Sequence, residues 1–256
     1  MNKIEKAFSN GKAFIPFITA GDPSIGFTEK LVIEMAKAGA DVIELGIPFS
    51  DPSAEGPVIQ AANIRALLAG TTTDKIFDMI KRIRKVCDVP LVFLTYVNLV
   101  FSYGRERFMK KCSELGIDGI IIPDVPYEER DEIKPYCDKF GITYISMIAL
   151  TSRDRIERIA KDAEGYVYCV SSLGVTGVRN HLDLDSCEMI QRVKSVKKVP
   201  CAIGFGISNP EQAKTMTKIS DGIIVGSAIV KIIEEYGEQS IEPVIEYINE
   251  MIDAIR

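Results

Sequence analysis

The amino-acid sequence predicts an α/β fold of the (β/α)8 TIM-barrel class, formed by a single domain over residues 1–256 with extra terminal helices. The length of 256 residues is close to the roughly 250 typical of such a barrel. Eight apolar runs alternate with amphipathic runs of helical period, which indicates strands that are each followed by a helix. The apolar runs lack polar alternation, as parallel strands do when both faces of the sheet are covered.

The elements follow one another at short intervals, without a linker that would mark a second domain. Each strand is a short run rich in Ile, Val and Phe, and each helix repeats apolar residues every three to four positions. Strands are predicted at residues 13–20, 41–47, 90–96, 118–122, 142–148, 165–170, 200–205 and 221–225. Helices are predicted at residues 27–38, 58–69, 74–86, 105–115, 128–139, 152–162, 184–196 and 209–217. The terminal helices are predicted at residues 228–236 and 240–255.

Composition and charge exclude several classes of protein. The chain is 46% hydrophobic and 26% charged, which suffices for a large core. Its net charge of −5, without a basic run, argues against a nucleic-acid partner. No apolar segment approaches the roughly 18 residues of a membrane span. Because the N-terminal residues also lack the apolar core of a signal peptide, we expect a cytoplasmic protein.

Cysteine and histidine usage limits the available chemistry. The six cysteines form no CxxC pair, so we expect reduced packing residues and no metal site. His181 is the only histidine. Acid–base chemistry must therefore come from carboxylates, Tyr or Lys.

Glu44 is the first candidate for such chemistry, because it lies inside an apolar strand where an unpaired carboxylate is costly. The active sites of these barrels form at the C-terminal ends of the strands and in the loops that follow. The loop after Glu44 carries Asp51 and Glu55 among prolines and a glycine. Two interpretations stay open. The group is either part of an acid–base site or a structural carboxylate held by backbone N–H groups or an Arg.

Further polar and aromatic side chains fall at other strand ends. Tyr96 and Asn98 close the third strand, Asp124 closes the fourth, and Tyr168 lies near the end of the sixth. Side chains at strand ends or loop starts would form a pocket for a flat aromatic ligand, although each alone is typical of a barrel core. These side chains are Phe17, Ile59, Leu94, Tyr96 and Phe205.

Two glycine-rich loops predict a phosphate site. Residues 204–208 follow the seventh strand, and residues 226–230 follow the eighth strand and open a helix. Glycine allows close approach of the backbone to a ligand, and a helix N-terminus offers free N–H groups. The loops after strands seven and eight are the usual phosphate site of this fold. The long polar loop at residues 171–183 is either a lid, with Thr176 and Gly177 contacting ligand, or an ordinary loop.

Together these motifs resemble the α subunit family of tryptophan synthase. The most specific segments are IELGIPFSDP at residues 43–52 and SLGVTG at residues 172–177, and the similarity extends from about residue 12 to the C-terminus. The resemblance implies retro-aldol cleavage of indole-3-glycerol phosphate to indole and glyceraldehyde 3-phosphate. It also implies an α2β2 complex in which a β subunit receives the indole. Pyridoxal phosphate belongs to that partner, so no cofactor is implied for this chain.

The resemblance further implies roles for individual residues. Glu44 takes the position of the acid–base group that protonates indole C3, and Tyr168 that of a tyrosine beside it. The implied indole pocket comprises Phe17, Leu94 and Tyr96, and the implied phosphate clamp comprises the backbone of Gly177, Gly206, Gly226 and Ser227. The loops that would face the partner carry Pro48, Asp51, Pro52, Asn98, Asp124 and Pro126.

One position departs from the family pattern. The family loop has PFSDPxADGP, whereas this chain has Glu55 where the family has an Asp that binds the indole N–H. The extra methylene changes the reach, and a misplacement of about 1 Å can cost on the order of 100-fold in rate. A weakened α-type subunit that acts mainly as an activator of β is therefore the alternative to a working lyase. A sugar-phosphate isomerase or epimerase would share the phosphate loops but not the IELGIPFSDP segment.

Overall fold

A computed structural model describes residues 2–171, 184–204 and 206–256, and it contains one sheet of nine parallel strands. The strand order is β5-β4-β3-β2-β1-β9-β8-β7-β6. The strands are β1 (Ala13–Thr19), β2 (Ile43–Gly46), β3 (Leu91–Leu94), β4 (Gly119–Ile121), β5 (Thr143–Tyr144), β6 (Ser146–Ala149), β7 (Val167–Val170), β8 (Cys201–Gly204) and β9 (Gly222–Val225).

The fifth predicted strand is divided in two. Only Ile145 separates β5 from β6, and its N–H donates to the carbonyl of Ile120 at 2.9 Å. Because β5 pairs with β4 and β6 pairs with β7, the two halves of one strand close the ring. The fold is thus an eight-stranded barrel with one interrupted strand, which confirms the predicted (β/α)8 TIM-barrel class.

The helices follow the strands as predicted, with two additions. They are α1 (Lys3–Ala7), α2 (Ile25–Lys37), α3 (Pro57–Leu68), α4 (Thr73–Ile83), α5 (Val97–Tyr103), α6 (Arg105–Glu114), α7 (Lys134–Phe140), α8 (Ile156–Asp162), α9 (Leu184–Val196), α10 (Pro210–Met216), α11 (Ser227–Tyr236) and α12 (Ile241–Ile255). Helices α1 and α5 were not predicted. The predicted helices at residues 128–139 and 152–162 begin as 3-10 helices, at Tyr127–Glu132 and Leu150–Arg155. None of the described helices is long and apolar enough to cross a membrane.

Alternation along each strand separates two apolar layers. Ile43 and Leu45 of β2 pack in the layer shared with the helices, whereas Val42 belongs to the cluster inside the barrel. Successive side chains of a strand point to opposite faces, so Glu44 points inward with Val42. Its register partners Phe17 and Val92 also belong to the inner cluster. The apolar strand therefore turns one carboxyl group into the barrel.

Helix α1 closes the lower end of the barrel, where the strands begin. Asn2 caps this helix, because its Oδ1 accepts the N–H of Glu5 at 2.8 Å. Ile4 is fully buried in the inner cluster, and a Cβ added at Gly119 would lie 2.9 Å from its Cδ1. The glycine in strand β4 thus leaves the space that the side chain of Ile4 occupies. The centroid of the Phe8 ring lies 5.6 Å from that of Tyr166, so Phe8 adds a second apolar contact at this end of the barrel.

Candidate active site

A cavity of about 650 Å³ opens at the upper end of the barrel, where the strands end. Ten of the residues predicted for catalysis or substrate binding lie in the described part of the chain, and eight of them line this cavity. They are Phe17, Glu55, Ile59, Leu94, Tyr168, Gly206, Gly226 and Ser227. The other two, Glu44 and Tyr96, are placed differently. Thr176, Gly177 and Phe205 lie outside the described residues.

Glu44 is fully buried in the barrel wall, beside Phe17 of β1. The hydroxyl of Tyr166 donates a hydrogen bond to its Oε1 at 2.5 Å, while its buried Oε2 has no partner among the described residues. Burial raises the pKa of Glu44 from 4.5 to about 8, although the Tyr166 bond opposes this change and the charge of Glu55 adds to it. Glu44 is therefore a carboxylic acid at neutral pH, as a general acid must be.

Glu55 approaches the cavity from the turn between β2 and α3. Its N–H donates to the carbonyl of Pro52 at 3.0 Å, and its own carbonyl accepts the Nε2 of Gln60 at 2.8 Å. Burial raises the pKa of its carboxyl from 4.5 to about 7. Glu55 therefore lines the cavity itself, whereas Glu44 is buried next to the lining residue Phe17, close enough to Glu55 for its charge to raise the pKa of Glu44.

Tyr166 and Tyr168 are alternate residues of the same segment, and both face the barrel interior. Burial, together with the charges of Glu44 and Glu55, raises the pKa of Tyr168 well above its usual range, so its hydroxyl stays neutral on the cavity wall. Tyr166 was not singled out from the sequence. The signal was present in GYVYCV, because a residue two positions before an inward-facing Tyr168 shares its face.

Tyr96 lies behind the loop that carries Glu55, instead of on the cavity wall. Its hydroxyl accepts the N–H of Ala54 at 3.1 Å, and its ring stacks on Phe49 with the centroids 5.1 Å apart. Asn63 in turn holds Phe49, since its Oδ1 accepts the N–H of Phe49 at 2.9 Å. The Tyr96 side chain thus fixes the backbone of Ala54, next to Glu55.

The opposite end of the cavity is built from backbone. Gly206 has a φ of 75°, a left-handed conformation that favours glycine, and it follows β8. Gly226 precedes Ser227, the first residue of α11, whose N-terminal N–H groups have no helical carbonyl partners. Lys231, one turn further along α11, also lines the cavity and was not predicted. Glycine backbone beside the N-terminus of a helix is suited to binding an anion such as phosphate.

The loops predicted to face a partner fall into two groups. Asp51, Asn98, Asp124 and Pro126 are exposed, whereas Pro48 and Pro52 are buried within the chain. The carboxylate of Asp124 accepts the N–H of Val97 at 3.0 Å and so links the loops after β4 and β3. The two prolines are buried in the loop after β2, and the four exposed residues form the surface of that loop, of the start of α5 and of the loop after β4.

The site shows no metal-binding character in the described ranges. No group of three His, Cys, Asp or Glu residues within them could hold a metal ion. The cysteines Cys87, Cys112, Cys137, Cys169, Cys187 and Cys201 are all free.

Comparisons with known proteins agree with this geometry. The family model for the tryptophan synthase alpha chain matches residues 4–256. The tryptophan synthase alpha chain of Lacticaseibacillus casei is 49% identical over 257 residues, which cover 99% of this chain and 97% of the relative. That of Methanocaldococcus jannaschii is 45% identical over 241 residues, which cover 93% and 85%.

Solved structures show the same likeness. The tryptophan synthase subunit alpha of Legionella pneumophila superposes with a TM-score of 0.90 at 35% identity, covering 100% of this chain and 98% of that one. A chain of the tryptophan synthase α2β2 complex of Pyrococcus furiosus superposes with a TM-score of 0.89 at 33% identity, covering 95% and 99%. The chain therefore belongs to the tryptophan synthase alpha chain family.

Proposed function

We propose that Glu44 and Glu55 are the acid–base pair with which this chain cleaves indole-3-glycerol phosphate to indole and glyceraldehyde 3-phosphate. The observation that carries the proposal is a pair of neighbouring carboxyl groups with raised pKa values: Glu55, with a pKa of about 7, lines the cavity, and Glu44, with a pKa of about 8, is buried next to the lining residue Phe17 and is influenced by the charge of Glu55. The far end of that cavity is glycine backbone and a helix start. The reaction is an aldol-type carbon–carbon cleavage, which belongs to tryptophan biosynthesis.

The cleavage needs one proton delivered and one removed. Glu44 in its acid form gives its proton to indole C3, while Glu55 as a carboxylate hydrogen-bonds the indole N–H and stabilises the positive charge that develops on the ring. The carboxylate of Glu44 then takes the proton of the substrate hydroxyl next to the scissile bond. The bond breaks, its electron pair returns to the indole, and Glu44 is again an acid. Tyr168 supplies a neutral hydroxyl on the same wall.

The two halves of the substrate fit the two ends of the cavity. Phe17, Ile59 and Leu94 are apolar lining residues that suit the flat indole ring. The backbone N–H groups around Gly206, Gly226 and Ser227 suit the phosphate. In this proposal the scissile bond lies between the phosphate and the carboxyl groups.

The partner in this proposal is a tryptophan synthase β subunit, in an α2β2 heterotetramer that receives the indole. The exposed residues Asp51, Asn98, Asp124 and Pro126 would contact it, and the buried Pro48 and Pro52 would shape the loop that carries Asp51. Pyridoxal phosphate would belong to the β subunit, and the α chain would need no cofactor. The free cysteines suit a reducing compartment, and we place the protein in the cytoplasm.

The alternative is an α-type subunit that mainly activates β. It is favoured by Glu55, which stands where the family loop has Asp and whose backbone is held at both its N–H and its carbonyl. Because these two hydrogen bonds hold its backbone, the side chain of Glu55 has little freedom to adjust its position.

Indole release from purified protein, with and without a β subunit, tests both functions. The proposal expects release by the chain alone, faster release with β, and near-complete loss in Glu44→Gln. If the wild type releases no indole in either state but still accelerates the β reaction, the activator function replaces the lyase. Circular dichroism of each variant checks that the barrel is folded.

A further inference from the structure

The cavity carries opposite charges at its two ends. Among the described residues that line it, Glu55 is the only carboxylate and Lys231 the only cation. Glu55 stands at the reacting end, and Lys231 stands on α11 beyond the glycine backbone. We infer that Lys231 attracts the substrate's phosphate and orients it towards the start of α11. The inference rests on the proposed function and adds a binding residue to it.

The position of Lys231 suits this role. It follows Ser227, the first residue of α11, by four positions and therefore lies on the same face of the helix, one turn further on. Side chains of a helix lean towards its N-terminus, so the long lysine stem extends back over the turn that carries the free N–H groups. The ammonium group and the positive end of the helix dipole then act on the same volume.

The charge of Lys231 is not neutralised by a neighbour. No ion pair joins it to a carboxylate in the part of the chain that the structure describes. The nearby Glu234 of the same helix is instead paired with Arg65, whose Nη1 lies 2.9 Å from its Oε1. Arg65 also binds the buried Asp22 through its Nε and Nη2, at 2.8 and 2.7 Å. Glu234 and Arg65 are therefore already engaged with one another.

A cation would strengthen a phosphate clamp of neutral backbone groups for an electrostatic reason. Backbone N–H groups carry no net charge, while the substrate brings a phosphate dianion to a cavity that is also lined by the carboxyl group of Glu55. A cation at one end and a carboxylate at the other favour the orientation that puts the phosphate beside α11 and the indole beside Glu55. Because Lys231 is exposed, its effect falls mainly on capture of the substrate and is sensitive to salt.

The test compares Lys231→Gln with Lys231→Arg and with Lys85→Gln. Lys85 is exposed on the loop between α4 and β3, at the opposite end of the barrel, so it matches the charge change without lying near the cavity. At low salt we expect Lys231→Gln to raise KM for indole-3-glycerol phosphate about 5- to 10-fold with kcat changed less than about twofold. We expect Arg to restore KM, Lys85→Gln to leave it unchanged, and high salt to narrow the difference.

Binding of inorganic phosphate, measured by calorimetry on the same proteins, separates this inference from the proposed function. Weaker phosphate binding by Lys231→Gln than by wild type supports the inference even if neither protein releases indole. The absence of indole release would overturn only the proposed lyase function. Equal phosphate affinity and equal KM in wild type and Lys231→Gln overturn the inference. A fall in kcat at unchanged KM overturns it as well, because Lys231 would then act on the chemistry or the packing.

Discussion

The two ends of the cavity are built on different principles. At the reacting end, the chemistry depends on the buried Glu44 and the half-buried Glu55, whose protonation is set by their burial. At the phosphate end, Gly206, Gly226 and the start of α11 present backbone, which any sequence with the same conformation would present. Activity should therefore depend on the chemical identity of the side chains at the first end. At the second end it should depend on whether a side chain is present at all. Substitutions at the first end should lower kcat, and substitutions at the second should raise KM.

The largest effect should come from removing the titrating proton at the reacting end. Glu44→Gln keeps the shape and the hydrogen bond from Tyr166 but cannot deliver a proton. We expect kcat for indole release to fall on the order of 100- to 10,000-fold, the usual contribution of general acid–base catalysis, with substrate affinity nearly unchanged. Steady-state kinetics and equilibrium binding check both halves. Retention of more than a small fraction of the activity would remove Glu44 from the mechanism.

A side chain added at the phosphate end should have the opposite kinetic signature. Gly206→Leu fills the space next to the clamp, and we expect KM to rise about 10- to 100-fold with a smaller change in kcat. Because Gly206 has a φ of 75°, the substitution also strains the backbone. Gly237→Leu is the matched control, since Gly237 has a φ of 54° and an added Cβ there meets no atom within 4 Å. An equal rise in KM in the control would mean that strain, and not the lost site, is responsible.

The raised pKa of Glu44 also has a cost in stability that depends on pH. Between pH 4.5 and about 8 the folded chain holds a proton that the unfolded chain has lost, so this group lowers stability as the pH rises through that range. In urea unfolding, Glu44→Gln should therefore have a free energy of unfolding higher than that of wild type by on the order of 1–3 kcal/mol at pH 8, and an equal one near pH 4.5. Glu246→Gln, an exposed change on α12, should show no such trend. A constant difference at all pH values would point to packing alone.

The smallest effect concerns the reach of Glu55. Glu55→Asp shortens the side chain on a backbone held by Pro52 and Gln60, and we expect kcat of the isolated chain to rise about 3- to 10-fold. Addition of β should reduce this gap if the partner presses the loop into place. The measurement is kcat for both proteins, alone and with β. Slower turnover of Glu55→Asp in both states would mean that Glu55 is already well placed.

Much of this comparison could be predicted from the sequence, because strand ends of a barrel converge and their residues can be identified from periodicity. Glu44, Glu55, Tyr168 and the glycine loops were found in this way. Tyr96 was expected in the pocket and instead supports the loop, since a residue at a strand end can point either way once the strand stops. Lys231 was missed because one lysine in a helix usually means an exposed surface.

Two features of the fold left weaker signals. Helix α1 has five residues, too few to show a helical period of apolar residues. Its position depends on the space that Gly119 leaves for the side chain of Ile4. The interruption of the fifth strand at Ile145 falls within ITYISMI, where no Gly or Pro marks it. Pairing with different neighbours, β4 on one side and β7 on the other, sets the break. Such tertiary choices are not encoded in local pattern.

The seal that α1 forms has a consequence for proton exchange with bulk water. Ile4 is fully buried and the ring of Phe8 packs against Tyr166, so in the described part of the barrel apolar side chains lie below the Tyr166–Glu44 hydrogen bond. We therefore expect the proton on Glu44 to exchange with buffer mainly from the cavity side, where the substrate binds. A bound ligand should then slow this exchange, and the proton that Glu44 delivers should be one that it held before the ligand entered or that it took from the ligand itself.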